Sequence, residues 1–359
     1  MLEIPCVIVR GGTSKGVYLR AADLPEDKTL RDNLVSRIFG SPEPRQIDGL
    51  GGGDPLTSKV AILSSPEDNA SDVTYLSGEV RLGCSEVNYG IMCGNLASGV
   101  GLAAHHLKLL RTPPVENVVR IYNVNTDSLI HAEYDSFRAG ICGAANQVKL
   151  TFFSSGGGAT KKILPTGAAV DRLSLDGREI EYSVVDAGAM YVFIRASTFD
   201  LEGNESADTL NANQEMRGAV ERIRSSVQAT INQLNPHLDI QLGQIKVALV
   251  ADRIERTGQG NISTPADIEA RVINPQGVHR AYAVSGAICC CTAAAIEGTL
   301  VNQITSADKY NPSLTIAHPE GIMDIAVELE RNAEGLAIRK STIQRSTRVI
   351  MSGTVYVPS

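Results

Sequence analysis

The sequence is poor in aromatic residues and has no long apolar run. It contains no tryptophan, and aromatic side chains make up 4% of its 359 residues. No apolar stretch approaches the roughly 18 residues that a membrane-spanning helix requires. The first residues also lack the order of basic, apolar and small side chains that marks a secretion signal. We therefore expect a cytoplasmic protein that does not associate with membranes.

An excess of basic charge is also missing. Lysine and arginine number 33 against 40 aspartates and glutamates, which gives a formal net charge of -7. A surface of this sign repels polyanions such as nucleic acids. We expect no nucleic-acid partner, although a small basic pocket that binds a carboxylate is compatible with this balance.

The cysteines follow no pattern typical of disulfides or metal sites. They are odd in number, which predicts reduced thiols. The three adjacent cysteines at 289–291 cannot bind one metal together, because neighbouring residues of a helix point in different directions. The glycine-rich loops at 10–16 and 49–53 do not match the phosphate-binding pattern G-x-x-x-x-G-K-[ST], so we expect no nucleotide cofactor, and we expect no metal cofactor either. The seven cysteines are Cys6, Cys84, Cys93, Cys142, Cys289, Cys290 and Cys291.

Two segments rich in small apolar residues organise the predicted fold. Residues 96–110 and 285–295 are apolar on nearly every side, so each is expected to form a buried helix. Their openings at Gly94 and Gly286 lie a little over half the chain apart. At about 150 residues per domain, the length also predicts two domains. The pattern favours an α+β fold of two similar lobes with a ligand-binding cleft between them.

Shorter periodic segments surround the two helices. Apolar runs on either side of a turn at 11–14 predict a hairpin, and residues 26–39 follow the helical period. The stretch 154–158 is interpreted as a flexible loop. We divide the lobes into residues 1–175 and 176–359, with a final strand that could return to the first lobe. Further strands are predicted at 60–63, 73–80, 118–124, 129–134, 148–153, 182–185, 191–194 and 245–250, and a further helix at 215–234.

Cys93 is the first candidate for chemistry. It directly precedes Gly94 and Asn95, at the predicted start of a buried helix, where backbone N–H groups stabilise a thiolate and attract anions. Such a thiol can donate or accept a proton, or it can simply be a small buried side chain like most free cysteines. His105 and His106 lie more than two turns further on, too far for a Cys–His pair, which disfavours a thiol protease.

Lys59 and the loop at 10–16 are further candidates. Lys59 follows the glycine-rich loop 49–53, and partial desolvation there would favour a neutral amine that acts as a base. The alternative is a solvated lysine at a strand end. The loop 10–16 combines backbone N–H groups, hydroxyls and cations, which suits a carboxylate, but an ordinary hairpin turn has the same composition.

Motifs along the whole chain resemble those of the PrpF-like isomerases. This family includes methylitaconate delta-isomerase, 2-methylaconitate cis-trans isomerase and 4-oxalomesaconate tautomerase. The motifs occur in family order from end to end. They are RGGTSKG at 10–16, QIDGLGG at 46–52, PLTSKV at 55–60, CGN at 93–95, SGVG at 98–101, NVNT at 123–126, LPTG at 164–167, HRA at 279–281, SGA at 285–287, HPEG at 318–321 and GTVYVP at 353–358.

The resemblance implies a diaminopimelate epimerase-like fold of two pseudo-symmetric lobes, each a strongly curved β-sheet or barrel around a central apolar helix. It implies a cofactor-independent isomerase that shifts an allylic proton, by double-bond migration or cis-trans isomerisation, in a small unsaturated di- or tricarboxylate such as methylitaconate, aconitate, methylaconitate or 4-oxalomesaconate. Lys59 would abstract the proton and Cys93 return it, although the order could be reversed. The implied substrate contacts are Thr13, Ser14, Ser58, Gly94, Asn95, Arg280, Ser285 and Gly286.

Two departures from the family pattern bear on the function. Met92 stands where the family has an asparagine before the cysteine, which puts the identity of the substrate in doubt. The turn at Ser285 carries no second cysteine, so two-thiol epimerisation is not expected. The alternatives are an epimerase or racemase on the same fold, and a non-catalytic accessory protein that binds carboxylates. A homodimer is compatible with the isomerase and with both alternatives.

Overall fold

The structure is a computed structural model that describes most of the chain. The described residues are 1–66, 69–90, 92–110, 114–137, 145–153, 158–253, 266–275, 277–305, 307–332 and 335–358. Cys142 and most of the loop predicted at 154–158 lie outside these ranges.

Seventeen strands run through the described residues in chain order. They are β1 (Leu2–Gly11), β2 (Ser14–Arg20), β3 (Lys59–Ser64), β4 (Val73–Val80), β5 (Val87–Asn88), β6 (Val118–Asn123), β7 (Ser128–Tyr134), β8 (Asn146–Phe153), β9 (Asp171–Leu175), β10 (Arg178–Asp186), β11 (Met190–Arg195), β12 (Ile245–Asp252), β13 (Ile268–Asn274), β14 (Gly277–Val278), β15 (Ser313–His318), β16 (Gly321–Asn332) and β17 (Gly335–Val357).

Seven α-helices separate these strands in the described part of the chain. They are α1 (Lys28–Phe39), α2 (Gly94–Ala97), α3 (Val100–His106), α4 (Ala207–Ala212), α5 (Gln214–Leu234), α6 (Val284–Ala295) and α7 (Leu300–Ile304). The described helices include none that is both long and apolar enough to cross a bilayer.

The chain divides into two compact units. The first comprises Met1–Phe153 and Gln344–Ser359, and the second comprises Ser154–Ile343. The division falls after Phe153 rather than near residue 175, because β9 pairs with β10 and so belongs with the second unit. The long strand β17 starts in the second unit, and from Gln344 onward it belongs to the first.

The strands of the first unit close into a barrel. Their order is β1-β2-β3-β4-β6-β7-β8-β17, and β17 pairs again with β1. The predicted hairpin is confirmed, since β1 and β2 pair antiparallel from Cys6 opposite Leu19 to Gly11 opposite Ser14. By contrast, β2 and β3 are parallel because the chain crosses between them through α1.

The predicted surface helix at 26–39 is confirmed as α1. Asp27 caps its first turn by accepting a hydrogen bond from the Leu30 N–H, and Gly40 ends it in the left-handed conformation at φ 80°. Its apolar face, including Val35 and Ile38, packs on the outward side chains of β1, β2 and β3. The helix therefore covers the strand on which Lys59 lies.

The buried helix predicted at 96–110 is shorter than expected and divided into α2 and α3. The hydroxyl of Tyr134 causes the division. It accepts the Gly101 N–H over 3.1 Å and donates to the Ser98 carbonyl over 3.0 Å, taking both groups out of the helical ladder. Nearly every side chain from Gly94 to Ala104 is buried, as the apolar composition predicts.

The second unit repeats the plan of the first. Its strands follow the order β10-β11-β12-β13-β15-β16-β17, with β11 parallel to β12 and β13 parallel to β15. The same relations join β2 to β3 and β4 to β6 in the first unit. The apolar helix α6 packs against β10, β11, β15 and β16, and α5 covers an outer face. This repetition confirms the predicted fold of two similar lobes, each with strands around an apolar helix.

Candidate active site

Lys59 and Cys93 come together in the first unit. Lys59 is the first residue of β3, where it lies opposite Gly16 of β2 and Glu79 of β4. Its Nζ donates a hydrogen bond to the Cys93 Sγ over 3.5 Å, although 34 residues separate the two in sequence. Both side chains are half-buried, so they keep access to solvent. The sequence predicted these two residues as candidates, and the structure puts them in direct contact.

The backbone of Cys93 is held on both sides by β4. Cys93 caps α2, its N–H donates to the Ser77 Oγ over 3.1 Å, and its carbonyl accepts from the Tyr75 hydroxyl over 3.0 Å. Ser77 and Tyr75 are both buried. The sulfur therefore projects from a backbone that is fixed at its amide and at its carbonyl.

Cys93 also differs in its surroundings from the other described cysteines. Cys6 and the run 289–291 in α6 are buried, and burial raises the pKa of each of these thiols, that of Cys290 to about 12. Cys84 is half-buried like Cys93 but lies between β4 and β5, and within the described ranges its thiol accepts no hydrogen bond from a lysine. Accessible thiol chemistry in the described chain therefore falls on Cys93 and Cys84, and only Cys93 contacts a lysine.

Asn95 connects the hairpin loop to the far end of the chain. Its Nδ2 donates to the Thr13 Oγ1 over 3.0 Å and, more weakly, to the Ser14 Oγ over 3.4 Å. Its Oδ1 accepts from the Arg345 Nε over 3.0 Å. The loop passes so close that a Cβ on Gly12 would lie 2.5 Å from the Asn95 Oδ1, and the φ of Gly12, at 51°, is in the left-handed region that favours glycine. Three predicted contacts, Thr13, Ser14 and Asn95, thus form one hydrogen-bonded group.

Cations concentrate beside the turn of this hairpin. Arg10 lies directly opposite Lys15, and its guanidinium donates to the Gly12 carbonyl and the Ser346 hydroxyl. Burial and the nearby Arg348 lower the pKa of Arg10 from its usual value. Positive charge gathered at a polar loop favours the binding of carboxylates.

Ser58 supports the glycine-rich loop. It is fully buried, and its hydroxyl donates to the Gln46 Oε1 over 2.6 Å. The same oxygen accepts the Gly53 N–H, and a Cβ on Gly51 would lie 2.0 Å from it. The loop is therefore packed around the Gln46 side chain. In this structure Ser58 therefore fixes the chain directly before Lys59, the first residue of β3.

Three predicted contacts belong to the second unit. Arg280 pairs with Asp208 over 2.9 Å and lines a polar cavity of about 200 Å³. Ser285 and Gly286 lie in the first turn of α6, and a Cβ on Gly286 would lie 2.6 Å from the Tyr191 hydroxyl. Ser285 and Gly286 thus lie at the start of α6, whereas Arg280 precedes the helix and pairs with Asp208 of α4.

Comparison with protein families gives the assignment. The family model described as PrpF protein matches residues 1–358 of this chain. The chain belongs to the PrpF family. This confirms the resemblance that the sequence motifs indicated.

Relatives in the PrpF family carry the names of isomerases and tautomerases, and the chain is assigned to that class of enzymes. A 3-methylitaconate isomerase of Eubacterium barkeri is 33% identical, covering 99% of this chain and 97% of that protein. A 4-oxalomesaconate tautomerase of Pseudomonas putida is 32% identical, covering 99% and 96%. A 2-methyl-aconitate isomerase of Cupriavidus necator is 30% identical, covering 99% and 98%.

Solved structures agree with the PrpF assignment. The crystal structure of a methylitaconate-delta-isomerase is 33% identical in sequence and superposes with a TM-score of 0.76. The match covers 99% of this chain and 95% of that one. A hydroxyproline epimerase from Agrobacterium vitis, at 15% identity, has a TM-score of 0.58 over 99% and 92% of the two chains. The second likeness shows the fold alone, and it supports the predicted epimerase-like architecture.

The structure adds residues that the sequence did not single out for a role in this PrpF site. Tyr75, Ser77 and Arg345 contact Cys93 or Asn95 directly, and Asn125 contacts Ser77. Asn125 lies in the NVNT motif at 123–126, which resembles a family motif but carried no predicted function. Within the described ranges, His, Cys, Asp and Glu side chains form no group of three suited to a metal ion.

Proposed function

We propose that this PrpF-family enzyme isomerises a small unsaturated di- or tricarboxylate by moving an allylic proton between two carbons. The observation that carries the proposal is the 3.5 Å contact between the Lys59 Nζ and the Cys93 Sγ, within a chain that matches the family from end to end. The names of the relatives suggest methylitaconate, methylaconitate or oxalomesaconate types as substrates.

Lys59 and Cys93 divide the proton transfer between them. The neutral amine of Lys59 accepts a proton from the carbon next to the double bond, which leaves a dienolate and an ammonium. The Cys93 thiol then gives a proton to the far end of the dienolate, and the double bond shifts. Transfer of a proton from the ammonium to the thiolate restores both groups. The 3.5 Å contact supports this last step, because two groups within hydrogen-bonding reach can exchange a proton directly.

The hairpin supplies groups that suit the substrate carboxylates. Thr13, Ser14 and Asn95 form one polar group, and Arg10 with Lys15 adds positive charge. A dienolate spreads its negative charge onto a carboxylate, so cations and donors at that carboxylate stabilise the transition state more than the ground state. We include Gly94 of the first unit and Arg280, Ser285 and Gly286 of the second as further substrate contacts.

The epimerase alternative would need a second acid or base of matching kind. Ala283 stands at the cap of α6, the position that Cys93 occupies at α2. The three cysteines of α6 lie inside the helix and are buried. The pairing of one lysine with one thiol therefore favours a proton shift between two carbons over a symmetric inversion at one carbon. The accessory-protein alternative loses support because both Lys59 and Cys93 are retained.

Proton NMR in deuterium oxide tests the proposal. The purified protein is mixed in turn with itaconate-, aconitate- and oxalomesaconate-type acids, beside the variants Lys59→Ala and Cys93→Ser. We expect deuterium to enter an allylic position of one acid with the wild type, and the rate to be lower by a factor of at least ~100 with either variant.

Two matched variants serve as controls. Lys149→Ala removes a surface lysine that pairs with Glu133, and Cys84→Ser removes the other half-buried thiol of the described chain. Both should exchange deuterium as fast as the wild type. Exchange that persists in both Lys59→Ala and Cys93→Ser would refute the proposed acid/base pair, and a lack of exchange with every acid would refute the substrate class.

A further inference from the structure

We propose that Ser77 and Asn125 are positioning residues that hold Cys93 in place beside Lys59. The inference rests on the proposed function, since it takes Cys93 as a proton-transfer group. It gives a role to the NVNT motif, which neither the fold nor the proposed reaction explains. The observation behind it is a chain of side-chain hydrogen bonds that leads from the turn after β6 to the amide of Cys93.

The Asn125 side chain continues the pairing of β4 with β6 by one further residue. The parallel strands pair from Val73 with Ile121 to Tyr75 with Asn123, and the ladder then ends. Beyond that point the Asn125 Oδ1 accepts the Ser77 N–H and its Nδ2 donates to the Ser77 carbonyl, each over 2.9 Å. The amide thus takes the place of a peptide group and satisfies the β4 backbone there.

The directions of these hydrogen bonds are fixed by their partners. The Asn125 Nδ2 faces two carbonyls, those of Ser77 and of Tyr89 at 2.8 Å, so the Oδ1 must face the other way. The Ser77 hydroxyl therefore donates to the Asn125 Oδ1 over 3.1 Å. The same oxygen accepts the Cys93 N–H over 3.1 Å.

This arrangement links Cys93 to the paired strands β3 and β4, the first of which carries Lys59. Ser77 lies on β4, two residues from Glu79, and Glu79 lies directly opposite Lys59 of β3. The separation of the Lys59 Nζ and the Cys93 Sγ is thus set by the register of two paired strands. Because the Cys93 N–H is used by Ser77, this amide does not donate to a substrate oxygen.

The test compares Ser77→Ala and Asn125→Ala with the matched control Ser128→Ala. Ser128 lies in the same turn region, and its hydroxyl bonds the Thr126 hydroxyl. The first readout is the rate at which iodoacetamide alkylates Cys93 at pH 8, resolved by peptide mass spectrometry with Cys84 as internal reference. The second is the separate measurement of kcat and KM with the acid that the NMR assay identifies.

We expect Ser77→Ala and Asn125→Ala to slow the alkylation of Cys93 several-fold, since the thiol loses its fixed place beside the Lys59 amine. We expect kcat to fall ~10- to 100-fold with KM nearly unchanged, as for a misplaced catalytic group. Ser128→Ala should behave as the wild type in both measurements. Ser77→Ala keeps every backbone group in place, so it decides the outcome if Asn125→Ala fails to fold.

An unchanged rate of Cys93 alkylation in the variants that fold would overturn the proposal, whatever happens to kcat. Alkylation needs no turnover, so it separates this inference from the proposed function. Slower alkylation in Ser77→Ala together with full activity in Cys93→Ser would support the positioning of the thiol and refute its part in the reaction.

Discussion

The Arg345 Nε donates to the Asn95 Oδ1 over 3.0 Å, although 250 residues separate the two in sequence. The contact forms because β17 returns to the first unit from Gln344 onward and pairs with β1. It turns the Asn95 amide so that its Nδ2 faces the hairpin loop at Thr13. The end of the chain therefore orients a side chain of the proposed carboxylate site.

We predict that Arg345→Ala weakens substrate binding more than catalysis. Without the guanidinium, the Asn95 amide can rotate and the loop at Thr13 loses its fixed donor. We expect KM to rise ~10-fold, the equivalent of one hydrogen bond to a charged group, with a smaller change in kcat. Steady-state kinetics measure both. Arg339→Ala, which removes an exposed arginine paired with Glu328, is the control. Equal KM values for Arg345→Ala and the wild type would contradict this role.

A second prediction concerns the carboxylate of Glu79. It lies directly opposite Lys59 and shares the strand face of Ser77, so it adds negative charge to the proposed site. We expect Glu79→Gln to lower KM for a polycarboxylate ~3- to 10-fold at low salt, because one repulsion is removed. The gain should shrink as salt screens the charges.

Glu3→Gln is the control for the loss of one negative charge, since Glu3 is exposed. It should leave KM unchanged at every salt concentration. A KM for Glu79→Gln that equals or exceeds that of the wild type at low salt would show that the carboxylate does not repel the substrate.

A third prediction addresses the division of the buried helix. Tyr134→Phe leaves the Gly101 N–H and the Ser98 carbonyl without the hydroxyl that they share. Since both groups are buried, we expect a loss of about 2 kcal/mol in the free energy of unfolding, measured by urea denaturation. Tyr122→Phe, which removes an exposed hydroxyl bonded to Asp127, should cost less than about 0.5 kcal/mol. Similar losses in the two variants would argue against this account of the break.

Local patterns in the sequence predicted much of this fold and singled out the two residues of the proposed acid/base pair. The hairpin at 4–19 and the helix α1 depend on turn residues, caps and periodicity that lie close together in the chain. Lys59 and Cys93 were each identifiable because a glycine-rich loop precedes one and a glycine follows the other. Only the family resemblance predicted that they act as a pair, since no local pattern brings two residues together across 34 positions.

The parts that escaped prediction depend on long-range pairing. The break between α2 and α3 comes from Tyr134, which no helical period reveals. Ser77 and Arg345 reach the site through strand register and through the returning β17. The Ser58 hydroxyl donates to Gln46, a partner twelve residues away that the sequence pattern does not reveal. A polar residue in a suggestive motif serves structure or substrate according to which partner the fold supplies.

A fourth prediction follows from a buried carboxyl in the second unit. Asp186 is almost fully buried, and its Oδ2 accepts hydrogen bonds from the N–H and the hydroxyl of Thr160. Its Oδ1 has no hydrogen-bond partner among the described residues. A Cβ on Gly158 would lie 2.2 Å from this oxygen, so the carboxyl has little room to move. Burial raises the pKa of Asp186 above its ordinary value of 3.8, despite the two bonds from Thr160.

Because the folded protein binds the Asp186 proton more tightly than the unfolded chain does, stability contributed by this group falls as pH rises from 3.8 through the folded pKa. Asp186→Asn carries no such proton. We expect the unfolding free energy of the wild type, relative to Asp186→Asn, to decrease between pH 4 and 7, by at most about 1.4 kcal/mol per pH unit. Urea denaturation at several pH values measures this difference. Asp48→Asn, which changes an exposed carboxyl, should show no such trend. A difference that is constant or that grows with pH would mean that Asp186 is charged in the folded protein at little cost.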